Sequence, residues 1–320
     1  MYAAYVGSGG RPGVTAWPSR TTLFWATYLA GRSEPRAMKL NANETDAFRR
    51  DGYLVLSDLV DPVTCAALRH QADALVAAFE PDDVASIFST TNQQQATDLY
   101  FLESGGAVRC FFEEEAFDAT GALQVPKSRA INKIGHALHD LDPVFAPFSR
   151  SSAFEDIVTT LGVAEPLLLQ SMYIFKQPSI GGEVVWHQDA TFLYTDPVSA
   201  IGLWVALEDA DIENGCLWAL PGGHLHGLKR RFKRGAGGAT FFDEMDDVAW
   251  RNEDFVPLEV RAGTVVVLDG SLPHGSRANR SIRSRHAYTL HVIDREAKYP
   301  SDNWLHRPAN MPLRGFGSQI

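Results

Sequence analysis

The chain has 320 residues, 45% of them hydrophobic, enough for a substantial buried core in one large domain or two small ones. A formal net charge of −10 and a pI near 5.5 argue against a nucleic-acid or anionic-membrane surface as the main partner and favour a small molecule. Cys65, Cys110 and Cys216 lie at neither zinc-knuckle nor redox-pair spacing, which fits a reducing compartment, and no apolar run approaches the roughly 20 residues needed to cross a bilayer.

Residues 1–38 differ from the rest, with Arg11, Arg20, Arg32 and Arg36 among Gly and Ser and no acidic residue before Glu34. The composition is that of a transit segment, but the apolar run Leu23–Leu29 is short and interrupted, and Met38 offers an internal start. The extension is read as disordered or mis-started and the protein as cytoplasmic; an organellar location follows only if the extension is a genuine transit segment. From there Asn43 is the expected cap of a first helix, with Asp46 three residues on, Phe48 on the apolar face and Gly52 at the end. Tyr53–Leu56 reads as a short strand. Asp61-Pro62 starts a second helix, whose stripe is Cys65, Leu68, Ala72, Leu75, Val76 and Phe79.

Glu80–Asp98 is polar and reads as a loop or cover, followed by strands at Tyr100–Leu102 and Val108–Phe112. Ala130–Asp140 is predicted to be helical because His136 and His139 stand three apart, and Ser152–Leu161 is predicted to be another capped helix. Beyond Gly162 the pattern turns to strands: Leu167–Lys176, Ala200–Leu207, Leu217–Leu220, Leu258–Val260, Thr264–Leu268 and His286–Ile293. Turn signals at 179–182, 213–215, 221–223 and 262–263 separate them. Short strands after a helical half predict a mainly β fold, a jelly-roll barrel with flanking helices.

The chemistry centres on Glu183–Thr191, where His187 and Asp189 stand two apart at a predicted strand end and so leave one face. Two imidazoles and one carboxylate make the triangular face of a non-haem iron centre, with open positions opposite. His274, in Pro273-His274-Gly275-Ser276, supplies the distal imidazole, and Arg285 follows at an offset suited to a two-pronged bond with the far carboxylate of 2-oxoglutarate. His-x-Asp alone is more often a strand-end hydrogen bond; the ordered set His187, Asp189, His274, Arg285 carries the specificity. His291 rivals His274 but has no Arg at the right offset, so it is read as lying behind the site or in the core. Periodicity does not separate Arg283 from Arg285; the latter sits deeper in the apolar run, where an unpaired guanidinium implies a bound anion. Ser276 is a hydroxyl contact or a turn residue.

His224-x-His226 lacks the following carboxylate of a cupin metal site and is read as lying behind the site or facing solvent. Lys229–Arg234 is most simply a solvated basic loop; the sharper alternative is that it steers an anionic substrate to the site mouth.

With these residues in place, the chain resembles the phytanoyl-CoA dioxygenase (PhyH) family. The likeness runs from Asp51-Gly52-Tyr53 to Asn303-Trp304-Leu305 and includes Ile131–His139, Gln170–Pro178, His187-Gln188-Asp189, Glu213–Trp218 and Arg283-Ser284-Arg285. It implies a cupin-like double-stranded β-helix over residues 39–320, with the jelly-roll from about 163, holding Fe(II) on His187, Asp189 and His274 and 2-oxoglutarate on Arg285. It also implies Lys133, Met172, Trp204 and Ser276 as pocket residues, although Met172 and Trp204 would otherwise read as core. The implied reaction uses O2 and 2-oxoglutarate to hydroxylate a small molecule, an anionic lipid or acyl-CoA among the candidates, with release of succinate and CO2. Asp189 distinguishes such a hydroxylase from related halogenases, which lack that carboxylate. The C-terminal Gly317-Ser318-Gln319-Ile320 is no peroxisomal address, which argues against peroxisomal phytanoyl-CoA oxidation. Two other readings are kept, a metal- and 2-oxoglutarate-binding sensor or structural protein without turnover, and a cupin-like dioxygenase needing no 2-oxo acid.

Overall fold

Two capped helices lead into the fold in a computed structural model that describes residues 38–80, 86–90 and 98–317. The readings of residues 1–37, of much of the Glu80–Asp98 stretch and of the last three residues lie outside the described residues. Helix α1 (Ala42–Asp51) is capped by Asn41 rather than Asn43. The reason is Glu44: its carboxylate accepts the Asn41 N–H at 2.7 Å while the Asn41 side chain accepts the Glu44 N–H at 3.0 Å, a reciprocal box. Gly52 closes the helix at φ +80°, a conformation few other residues tolerate. Helix α2 (Pro62–Ala78) starts where expected, with Asp61 accepting from Val63 and Thr64 and with Leu68, Ala72 and Val76 buried. Helix α3 (Ser152–Thr160) also forms, but Ser151 makes no side-chain cap bond.

The strands in the first part of the chain are β1 (Tyr53–Leu56), β2 (Ile87–Phe88), β3 (Val108–Glu113), β4 (Ile131–His136), β5 (Pro166–Ile174), β6 (Val184–His187) and β7 (Ile201–Ala206). They are followed by β8 (Leu217–Ala219), β9 (Arg230–Arg234), β10 (Thr240–Glu244), β11 (Val256–Leu258), β12 (Val265–Asp269), β13 (His274–Ser276) and β14 (Ala287–Asp294). Eight form a large sheet in the order β1-β12-β7-β14-β5-β4-β3-β2, antiparallel except for β2 with β3. Four form a smaller antiparallel sheet, β11-β8-β13-β6, and β9 pairs with β10 as a separate ribbon. The two sheets enclose the site, and this is the expected jelly-roll double-stranded β-helix.

Core packing explains why the strand sequences run continuously apolar instead of alternating. Leu203, Val205, Val265, Val267 and Leu290 pack against Leu68, Phe145 and Ile157 on the helical side. Trp204, Ala206, Val266 and Leu268 pack against Leu217, Ala219 and Leu258 of the small sheet. Every residue of β7 is therefore buried, since both faces are covered.

Three elements differ from expectation. Residues predicted as one helix, Ala130–Asp140, are β4 followed by a helical turn at Leu138–Leu141. Asn132, Ile134 and Gly135 favour a helix weakly, and the unfilled edges of β3 and β5 capture the segment. Tyr100–Leu102, predicted as a strand, belongs to a helical turn at Leu99–Leu102, because Asp98 accepts the Tyr100 N–H at 2.8 Å and nucleates it. The strand expected at Leu258–Val260 lies slightly earlier, with Val260 reduced to an isolated bridge to Ala210.

Candidate active site

Strand β6 ends at His187, which stands directly opposite His274 of β13 in the antiparallel register. Asp189 is not on the strand as predicted; Gln188 is extended and Asp189 begins a helical turn, Asp189–Phe192. The turn swings its carboxylate between the two imidazoles. His187 Nε2 lies 3.6 Å and His274 Nε2 3.7 Å from Asp189 Oδ1, and one donor atom from each residue falls within 4.8 Å of the others. His187 Nδ1 donates to Val185 O at 2.9 Å and His274 Nδ1 to Leu272 O at 3.0 Å, which turns the Nε2 of each ring toward the carboxylate.

The carboxylate is itself held from behind. His291 of β14 places Nε2 3.1 Å from Asp189 Oδ2, so the residue weighed as a rival lies behind the triangle, not in it. Gly202 makes room, since a Cβ there would stand 3.0 Å from that same oxygen. Burial opposes ionisation of Asp189, but His291, His274 and His187 outweigh it and hold the carboxyl well below its usual range. Burial pushes the His274 imidazole down to about 4, with Asp189 opposing in part.

Arg285, just ahead of β14, is 1% exposed. Its Nε donates to Gly215 O at 2.9 Å, while Nη1 is buried without a hydrogen-bond partner among the described residues. Burial pushes the guanidinium down to about 10. Arg283 instead reaches the surface carboxylates Asp211 and Glu213, which settles the pair that periodicity left open. The same cavity is lined by Lys133 of β4, Met172 of β5, Trp204 of β7 and Ser276 of β13. Lys133 Nζ lies 3.7 Å from Met172 Sδ and 3.1 Å from the Phe88 ring centroid, with burial driving its pKa well down. All eight site residues singled out in the sequence thus border one cavity.

Other sequence candidates are elsewhere or already paired. His224 contacts Arg49 O at 3.1 Å, and neither it nor His226 borders this cavity. The basic stretch is mostly strand β9 and not a loop: Lys229 pairs with Asp246, Lys233 with Asp243, and Arg234 donates to the backbone of Trp304 and Leu102. Of its charged residues Arg230 lines the cavity, beside Phe232 and Phe242. Missed altogether were His136 and the aromatic lining from Phe101 and Trp304. Reading Ile131–His136 as a strand would have exposed His136.

The family profile described as Phytanoyl-CoA dioxygenase (PhyH) matches residues 48–287. The chain is 48% identical over 274 residues to Phytanoyl-CoA dioxygenase of Arabidopsis thaliana, covering 85% of this chain and 95% of that protein. It is 43% identical over 286 residues to Phytanoyl-CoA dioxygenase domain-containing protein 1 of Danio rerio, covering 86% and 97%. Among solved structures, the carbocyclase SnoK from nogalamycin biosynthesis matches with TM-score 0.58 at 19% identity over 88% of this chain and 99% of that one. EctD from S. alaskensis, crystallised with 2-oxoglutarate and 5-hydroxyectoine, matches with TM-score 0.56 at 21% identity over 89% and 93%. These distant structures support the fold.

Proposed function

The chain belongs to the phytanoyl-CoA dioxygenase family, and from that premise we propose that it is an Fe(II)- and 2-oxoglutarate-dependent dioxygenase that hydroxylates a small molecule. The observation that carries this reading is one cavity holding both a His-Asp-His triangle and a buried guanidinium with an unpartnered nitrogen. The donor set fits Fe(II): two neutral imidazole nitrogens with their other nitrogens anchored on carbonyls, and one carboxylate oxygen. His187, Asp189 and His274 would hold the metal. The chemistry that bound iron supplies is activation of O2 coupled to oxidation of 2-oxoglutarate to succinate and CO2, with the second oxygen atom inserted into a substrate C–H bond.

The protein's own residues do the rest by position. Arg285 pairs with the far carboxylate of 2-oxoglutarate, and Ser276, Lys133, Met172 and Trp204 border the volume that the co-substrate occupies. That pairing explains why an otherwise unpaired cation is kept buried, and it favours this reading over an oxygenase needing no 2-oxo acid. His291 holds Asp189 in place through its outer oxygen. Phe88, Phe101, Phe192, Phe232, Phe242 and Trp304 give the remaining wall an apolar, water-excluding character, suited to a substrate with a large hydrocarbon surface. Arg230 on that wall suits an anionic group on the same molecule, as a lipid or acyl-CoA would carry.

Anaerobic titration of metal-free protein with Fe(II) and then 2-oxoglutarate tests the reading through the visible metal-to-ligand charge-transfer band. The expected result is a band in the wild type that is weakened in both Asp189→Ala and Arg285→Ala. A folded wild-type protein that gives no band would overturn the assignment.

A further inference from the structure

His136, at the end of β4, lies on the cavity wall and takes no part in the metal or co-substrate contacts described above. It is 1% exposed, and its Nε2 is buried without a hydrogen-bond partner among the described residues. The ring is fixed on three sides by aromatic neighbours. Phe101 and Trp304 meet it edge to face at 5.5 and 5.4 Å, and Phe111 tilts against it at 5.5 Å. Phe101 and Trp304 are themselves stacked at 4.4 Å, so the box is rigid.

The tautomer follows from the neighbouring hydroxyl. Ser104 Oγ lies 2.5 Å from Phe101 O, and because a carbonyl only accepts, the single hydroxyl proton is spent there. Ser104 Oγ also lies 2.6 Å from His136 Nδ1, so in that contact the hydroxyl must accept and Nδ1 must carry the proton. A neutral ring protonated at Nδ1 leaves Nε2 as a bare acceptor, and the ring is held neutral above all by its burial. A buried acceptor in an apolar aromatic box is costly until a donor reaches it.

We infer that His136 is a substrate-binding residue whose Nε2 accepts a hydrogen bond from the prime substrate, which therefore carries a hydroxyl or N–H donor on an otherwise apolar body. The inference rests on the cavity being the active site proposed above. Unlike the iron ligands, His136 selects on what the substrate donates: an ether or ester oxygen at the same place would set two lone pairs against each other.

The test uses matched probes on the Fe(II)- and 2-oxoglutarate-loaded protein without oxygen: aryl-alkyl alcohols of three chain lengths, each beside its methyl ether, with affinities read by calorimetry. The wild type should prefer the best-fitting alcohol to its ether by about tenfold or more, the usual worth of one buried hydrogen bond. His136→Phe, which keeps the aromatic box, should abolish the preference. Ser104→Ala retains the ring but frees its tautomer, allowing Nε2 to carry the proton and donate it to an ether oxygen, so the preference should shrink there too. Failure of every alcohol to outbind its ether in the wild type, or an unchanged preference in both variants, would overturn the inference. The charge-transfer band is recorded in each sample: a wild type that shows no preference while its band is intact refutes the role of His136 alone, whereas absence of the band from the wild type refutes the site itself.

Discussion

Replacing Arg285 by Met separates the work of its charge from the work of its volume. Burial lowers the guanidinium from 12.5 to about 10, which places the cost of the charged form at about 3 kcal/mol throughout the neutral range. Against this stands one bond from Nε to Gly215 O, worth about 1 kcal/mol. Met fills similar space without the charge, so metal-free Arg285→Met should be more stable than wild type by about 2 kcal/mol, or roughly 4–8 °C in Tm. Binding should move the other way. Loss of a two-pronged, charge-assisted pair to a carboxylate removes about 3–4 kcal/mol, so 2-oxoglutarate affinity should fall by about two to three orders of magnitude. Differential scanning fluorimetry of the metal-free protein gives the first quantity, and the anaerobic charge-transfer titration gives the second. The wild-type Tm should also rise with 2-oxoglutarate in the presence of Fe(II) while the variant's does not. A variant that binds the co-substrate normally, or that melts as early as a core truncation, would refute the reasoning.

Gly202→Ala places a methyl 3.0 Å from Asp189 Oδ2 and 3.6 Å from the His291 ring, so Fe(II) affinity should fall by about 10- to 100-fold in a metal titration while the fold persists by circular dichroism. His139 is buried beside Ser171 and is lowered from 6.5 to about 3 mainly by burial. The unfolded chain then takes up the proton first, and stability is lost as pH falls from 6.5 towards 3, by roughly 2 kcal/mol at pH 5. Urea midpoints at pH 7 and pH 5 should show this loss in wild type and a smaller one in His139→Asn; equal losses would exclude the residue. Asn41→Ala removes the reciprocal cap of α1 and should cost about 1 kcal/mol in the same assay, with Asn43→Ala costing less.

Where local chemistry and tertiary context agreed, the fold was readable. Asp61-Pro62 started α2 because a cap side chain and a residue without N–H both suit that position. The strand expected at Thr264–Leu268 formed as Val265–Asp269, and it was readable because the apolar run 265–268 leaves no other use for it. β4 was not, because the pull of β3 and β5 on either side is a property of the assembled sheet and leaves no period in the segment itself. The site shows the same division. His187, Asp189 and His274 were found by chemical type and order, although Asp189 reaches its place through a turn and not along a strand. Lys133 was placed through family likeness while its segment was read as a helix, and His136 was missed for the same reason. The depth of Arg285 could be argued from the sequence; the unpaired nitrogen that makes the depth informative could only be seen in three dimensions.

The pairing pattern also constrains how the protein comes into being. β1, the first strand described, hydrogen-bonds to β12, and His187 meets His274 across β6 and β13. During synthesis the early helices can form behind the ribosome, but neither the large sheet nor the metal triangle can close until the last strands have emerged. Iron can therefore be captured only by a nearly finished chain, and any fragment ending before His274 is left with one imidazole and one carboxylate of the three ligands. The long delay before these distant partners meet makes this a slow-folding topology, with unpaired strand edges exposed while it waits.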